Sequence, residues 1–287
     1  MKNIGLIGCG AMGKGIAKNL VKNGFHVFAY DRDQQALDIC SDIGAHPQAS
    51  PFEVGKQADA VITSLPGPQI VKDVLLGDDG IFAALKPGSF VLDMSTIDPK
   101  TAQDIYLFAK DRSIHFFDCP LSGGPAGADS GTLTIMVGGD EAYINDVLPI
   151  LHSVGRDIIL LGSSGYGQVA KLCHNMLVAT ITAALGEAFA VGEKAGVPRK
   201  QLAEVIQSGS AHNRVLSVFG ENIVKDSYEH VLFSLQHMNK DIHLYTETAQ
   251  YFAQPSPIGL LVSDIYQTAM EKGKGLLDSS AVCQSNE

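Results

Sequence analysis

Two short stretches of this 287-residue chain carry residue types at spacings that chemistry demands. The first is Gly8-Cys9-Gly10-Ala11-Met12-Gly13, which follows the apolar run Asn3–Ile7 and opens a helical pattern through Ile16, Ala17 and Leu20. In a strand-to-helix turn of this form Gly8 permits the tight turn, Gly10 lets backbone approach a pyrophosphate, and Gly13 lets helix and strand pack closely. Ala11 and Met12 lie between them, where the helix N-terminus receives the phosphate charge. A glycine-rich turn alone is common, so the context decides. Asp31 stands 18 residues after Gly13, at the end of the second predicted strand. A carboxylate there accepts from the adenosine ribose hydroxyls, which completes a dinucleotide-binding pattern and favours NAD. The next residue, Arg32, can stack on adenine or pair with a 2′-phosphate, so NADP stays open.

The second stretch is Gly167-Gln168-Val169-Ala170-Lys171-Leu172-Cys173-His174-Asn175. Lys171 and Asn175 are four apart and share one helix face. A lysine among apolar neighbours is expensive unless paired or deprotonated, and desolvation moves its pKa toward the working range of a general acid/base. A lysine that snorkels its amine to water is the plainer alternative.

These residues need a scaffold, and the rest of the chain describes one. Runs rich in Val, Ile, Phe and Leu at 3–7, 26–30, 60–65, 90–94, 115–118, 133–137 and 158–161 alternate with helical patterns. Several are apolar on consecutive positions, as expected of a parallel sheet covered by helices on both faces. The expected fold is a Rossmann-type α/β domain with a doubly wound, mostly parallel sheet, followed by an all-α domain. After Gly162 the strand pattern stops, and from Gly167 a helical pattern runs for roughly 25 to 30 residues, against a usual length of about 11. The division falls in Gly162–Gly167, giving a dinucleotide-binding domain over 1–164 and an all-helical substrate and oligomerisation domain over 165–287, with the active site expected in the cleft between them. Further helices end near Lys272, and the last residues read as loose.

Composition excludes other classes. With 21 Lys and Arg against 31 Asp and Glu, the net charge of −10 disfavours nucleic acid and anionic membranes. The longest apolar run, 176–186, is short of the about 20 residues a bilayer span requires, and reads as a buried helix. Five scattered cysteines without a CxxC pair suit reduced thiols, and the opening strand leaves no room for a secretory signal; both point to the cytoplasm. No metal is expected: His212, His237 and His243 lack ligand spacing, and His174 reads as a packing or interface residue. Cys9 and Cys173 have no activating neighbour in sequence.

Four segments together resemble the β-hydroxyacid dehydrogenases: the Gly-rich turn, Asp118-Cys119-Pro120-Leu121-Ser122-Gly123-Gly124, the Gly167–Asn175 stretch, and Lys240-Asp241-Ile242-His243-Leu244. Leu121 departs from the commoner valine of the second segment. The resemblance implies hydride transfer between a nicotinamide cofactor and a short hydroxy carboxylate or its semialdehyde. It implies Lys171 as proton carrier and Asn175 as substrate-orienting residue. It further implies Ser122, Gly123 and Gly124 as the substrate-carboxylate loop, Leu65, Pro66 and Thr96 as cofactor-lining positions, and Lys240 as a lysine closing over cofactor and substrate. Taken alone, Lys240 is an ordinary surface lysine. Candidate substrates include 3-hydroxyisobutyrate, glycerate with tartronate semialdehyde, L-threonate and other short carboxylates bearing a β- or α-hydroxyl, with Gly209–Arg214 helping to line the pocket. The apolar length of the long helix implies a homodimer or homotetramer. A catalytically silent dinucleotide sensor would not need Ser122, Lys171, Asn175 and Lys240 together, and an imine reductase of related architecture would lack the lysine.

Overall fold

The computed structural model describes residues 1–286. The chain divides into two compact units, Met1–Lys171 and Leu172–Glu287, so the division falls inside the long helix.

The first unit runs β1 (Asn3–Ile7), α1 (Gly13–Lys22), β2 (His26–Tyr30), α2 (Gln34–Ile43), β3 (His46–Pro47), α3 (Pro51–Gln57), β4 (Ala60–Thr63), α4 (Pro68–Leu76) and α5 (Ile81–Ala84). It continues through β5 (Phe90–Asp93), α6 (Pro99–Lys110), β6 (His115–Asp118), β7 (Leu121–Ser122), α7 (Gly124–Ser130), β8 (Leu133–Gly138), α8 (Ile144–Val154) and β9 (Gly155–Gly162). The strands form one sheet in the order β3-β2-β1-β4-β5-β6-β8-β7, with β9 also paired to β8. From β3 through β6 all pairings are parallel, while β8 runs antiparallel to β6 and β7. Strand order reverses at β1, which lies between β2 and β4, and open α/β sheets bind ligands beyond the carboxyl ends of the strands at such a point.

Local chemistry explains where the elements stop. Asp33, Ser50 and Asp98 cap α2, α3 and α6 by accepting from backbone amides of the first turn. The strands predicted over 60–65 and 90–94 end at Thr63 and Asp93, because the residues after them leave the ladder and turn over the end of the sheet. β3 and β7, two residues each, are too short for any periodicity to reveal, and Pro47 sits in the terminal strand β3, as proline in a sheet must. β9 starts at Gly155, three residues before the apolar run that announced it.

The second unit is helical: most of α9 (Tyr166–Lys194), then α10 (Arg199–Ser208), α11 (Arg214–Lys225), α12 (Leu235–Tyr251), α13 (Pro257–Glu271) and a 3₁₀ helix over Ser279–Asn286. Residues 278–283, within the stretch expected to be loose, are held in place. Ala281, Val282 and Cys283 join a core with Phe189, Phe219, Tyr228 and Tyr266. Asp278 pins this segment by accepting from the amides of Leu232 (2.8 Å), Phe233 (3.2 Å) and Ser280 (3.1 Å), and from the Ser280 hydroxyl.

Helix α9 also corrects an expectation. At 29 residues it is about 43 Å long, and by length and composition it would suffice to cross a membrane. It is buried on one face only: Leu177 and Val191 are 59% and 66% exposed, and Cys173, His174, Ala184 and Ala188 share that exposure. The opposite face carries Gln168, Lys171, Asn175, Ala179, Thr182 and Phe189, all buried.

Candidate active site

The Gly-rich turn does what its spacing demands. Gly8 adopts φ +98, and a Cβ there would meet the Ser64 carbonyl oxygen at 2.2 Å; one on Gly13 would meet the Gly8 carbonyl oxygen at 1.9 Å. A Cβ on Gly10 would meet nothing within 4 Å, so only at that glycine is the backbone open to a ligand. Gly10 and Ala11 are exposed, and Met12, the residue before α1, makes no side-chain cap that would occupy the amides of the first turn.

Asp31 sits at the carboxyl end of β2. One carboxylate oxygen accepts from the Cys9 amide at 2.6 Å and the other from the Asp33 amide at 2.8 Å, which ties the Gly-rich turn to the acidic residue. Each oxygen keeps a second lone pair for ribose hydroxyls. Arg32 beside it is exposed. The open cradle at Gly10, the uncapped amides of α1 and the positioned Asp31 fit a dinucleotide. Cys9 is buried and hydrogen-bonded to the Cys40 thiol, and that bond and burial raise its pKa; burial raises Cys173 as well, so neither is an activated nucleophile.

At the ends of β4 and β5 the residues after the ladders interlock. The Leu65 amide donates to Ser95 Oγ at 2.9 Å, the Thr63 hydroxyl to Asp93 Oδ1 at 2.7 Å, and the Ser95 amide to the same oxygen at 3.1 Å. This frame leaves Leu65 and Thr96 half-buried and Pro66 exposed. Asp93 is fully buried with Oδ2 unpartnered, and burial, reinforced by Asp118, pushes its carboxyl up to about 6. Ser122, Gly123 and Gly124 follow on at the join of β7 and α7, with φ +128 at Gly123 and +61 at Gly124. Such a backbone turns successive amides toward one side, a geometry suited to an anion.

Lys171 is 8% exposed and Asn175, one turn later on the same face of α9, is 4% exposed. The Asn175 side-chain amide donates to Asp241 Oδ2 at 2.6 Å. Lys240 Nζ lies 2.8 Å from the other oxygen of that carboxylate, at ion-pair distance but without the direction of a hydrogen bond. Asp241, 2% exposed, thus gathers Asn175 from α9 and Lys240 from its own helix α12. Nothing in the sequence singled out Asp241, Gln168 or Asp118 for a role. The available signal was an acidic residue next to the candidate Lys240 on a helix, a pattern too common to stand out. Among the described residues no group of three or more His, Cys, Asp or Glu side chains is placed to hold a metal ion.

Comparison with known proteins extends this picture over nearly the whole chain. Residues 3–162 match the family model described as the NAD-binding domain of 6-phosphogluconate dehydrogenase, and residues 165–285 the one described as NAD-binding of NADP-dependent 3-hydroxyisobutyrate dehydrogenase. The NAD-dependent L-serine dehydrogenase of Pseudomonas aeruginosa is 38% identical over 98% of this chain and 97% of its own. A probable mitochondrial 3-hydroxyisobutyrate dehydrogenase of Dictyostelium discoideum is 36% identical, covering 98% and 89%. The structure of Mycobacterium tuberculosis 3-hydroxyisobutyrate dehydrogenase with L-serine superposes with a TM-score of 0.90 at 30% identity, covering 100% of this chain and 99% of the other.

Proposed function

The chain belongs to the β-hydroxyacid dehydrogenase family, and on that premise we propose which residues carry its reaction and which substrates it takes. It is an NAD(P)-dependent oxidoreductase of short hydroxy carboxylates and the corresponding semialdehydes. The bound nicotinamide supplies the hydride acceptor in oxidation and the hydride donor in reduction. Gly8, Gly10, Ala11, Met12 and Gly13 hold the pyrophosphate, Asp31 the ribose, and Leu65, Pro66 and Thr96 line the cofactor.

Lys171 takes the hydroxyl proton onto Nζ in oxidation and returns it in reduction. Ser122, Gly123 and Gly124 bind the substrate carboxylate. The observation that carries the reading is the Asn175–Asp241 hydrogen bond of 2.6 Å with Lys240 on the same carboxylate. A carboxylate only accepts, so Asn175 must turn its NH₂ toward Asp241, which fixes the orientation of its amide for the substrate. Lys240 is held on the same carboxylate.

A carboxylate at the ribose favours NAD. Hydrogen bonds to a charged group contribute about 1.5 to 3 kcal/mol, and a 2′-phosphate would lose them and meet like charge, so NADP should be poorer by roughly one to two powers of ten in kcat/KM. The substrates of first choice are L-serine and 3-hydroxyisobutyrate, the compounds in the names of the relatives. A panel of these with glycerate and L-threonate, run with both cofactors and followed by absorbance of the reduced nicotinamide, tests the reading. Turnover of at least one acid with NAD preferred supports it. Binding of NADH with no turnover of any would make the protein a dinucleotide sensor, and equal efficiency with NADP would hand the choice to Arg32.

The exposed apolar stripe of α9, with Leu177, Ala184, Ala188 and Val191, supports a homodimer or homotetramer in which a second copy covers it. Light scattering that found only a 30.5 kDa particle at micromolar concentration would remove this part of the proposal.

A further inference from the structure

Gln168 opens the face of α9 that also carries Lys171, one turn before it, and its side chain is fully buried. Both ends of its amide are used, and they are used on either side of one residue. Nε2 donates to the Ser95 carbonyl oxygen at 3.0 Å, and Oε1 accepts from the Ile97 amide at 3.1 Å. Thr96 is thereby bracketed by a side chain that pairs with its flanking peptides as a neighbouring strand would. No other standard side chain of this length offers both a donor and an acceptor in one plane.

The backbone of Gln168 is fastened separately. Its own amide donates to Asp118 Oδ2 at 3.0 Å, while the Gly165 amide donates to Oδ1 at 2.7 Å and the Ser164 hydroxyl to the same atom at 3.3 Å. Asp118, at the end of β6, therefore caps the start of α9 from another element and satisfies amides the helix cannot satisfy itself. The fit leaves no slack: a Cβ on Gly167 would lie 2.5 Å from the Met136 carbonyl oxygen and 2.7 Å from Asp118 Oδ2. The first turn of α9 is thus tied to β6 through Asp118 and to the segment after β5 through Gln168. Because Ser95 also receives the Leu65 amide, one hydrogen-bonded frame contains Leu65, Thr96 and the helical turn that leads into Lys171.

We propose that Gln168 is a positioning residue for hydride and proton transfer, setting the height of Lys171 against the strand-end shelf of Leu65 and Thr96. The inference rests on the assignment of Lys171 as proton carrier. Displacements near 1 Å at a reacting centre cost about 10²-fold in rate even when the altered residue touches no substrate. Gln168 controls such a displacement, because its side chain bridges the peptides on either side of Thr96 to the helix turn that leads into Lys171.

The test is Gln168→Met, which keeps length and burial and removes both hydrogen bonds. Two readouts are taken on the full-length protein: amide hydrogen exchange of the peptide containing Ile97, and steady-state reduction with NADH deuterated at the transferred position. We expect faster exchange at Ile97, kcat lower by about 10- to 100-fold with the KM for NADH nearly unchanged, and a larger deuterium isotope effect on kcat as hydride transfer becomes more limiting. Gln168→Glu, which keeps the acceptor for Ile97 and sets an acceptor against Ser95, serves if the methionine variant does not fold. Unchanged exchange would show that there is no bridge and overturn the proposal. Faster exchange with an unaltered kcat and isotope effect would overturn it too, leaving a structural link only. If the wild-type protein reduced no semialdehyde, the functional reading would fail and the positioning role with it, while exchange would still report the bridge.

Discussion

In the turn between β1 and α1 the groups offered to a ligand are backbone amides, exposed because glycines keep side chains away. In the second unit Asp241 gathers Asn175 and Lys240 from two helices by 2.6 Å and 2.8 Å contacts. The first arrangement is local: residues 8–13 and one carboxylate at Asp31 complete it. The second joins residues 66 apart in sequence and exists only once α9 and α12 have packed. A site built from backbone tolerates changes in the side chains around it but not added Cβ atoms; a site built from side chains fails when one partner is removed, because the others are left buried and unpaired.

Lys171→Met gives the largest effect and separates chemistry from binding. The substitution keeps length and apolar packing while deleting the amine, so kcat should fall by about 10²- to 10⁴-fold while the dissociation constant of NADH stays within a small factor. Stopped-flow turnover with fluorescence titration of NADH checks this. Retained turnover would move proton transfer to another residue, Lys240 first.

Asp241→Asn sharpens the contrast at intermediate size. It preserves shape but removes the charge that holds Lys240 and leaves one acceptor oxygen where the carboxylate offered one each to Asn175 and Lys240. Hydrogen bonds to charged groups contribute about 1.5 to 3 kcal/mol, so a loss of roughly 10- to 100-fold in kcat/KM is expected, with NADH binding by the first unit little changed. A variant with normal kcat/KM would show that the charge on Asp241 is not needed to hold Lys240.

The smallest effect concerns stability. Burial raises the Asp93 carboxyl from an ordinary 3.8 to about 6 in the folded chain, so the fold favours its neutral form. The stability this contributes is complete below the unfolded value and is lost as pH rises through about 6. Asparagine does not titrate, so Asp93→Asn should gain on the wild type by about 1 kcal/mol between pH 5 and pH 8, the rest of the loss having already occurred below pH 5. Thermal melts across that range decide it; a gap that stayed constant with pH would mean Asp93 does not titrate there.

The sequence alone determined the order of a sheet domain followed by helices, the Gly-rich turn with its acidic partner, and the candidate lysine. Each of these is carried by local periodicity or by glycine spacing, and such signals survive without knowledge of packing. Tertiary structure decided the rest. The residues after Lys272 read as loose until Asp278 is seen holding the amides of Leu232 and Phe233, and the two-residue strands β3 and β7 exist only as partners of their neighbours. Gln168 is an ordinary helix residue by propensity, and only folding sets its amide across the peptides that flank Thr96. The reason is physical: a backbone turn is specified by neighbours in the chain, whereas the partner of a buried polar side chain is chosen by whichever distant segment packing brings within about 3 Å.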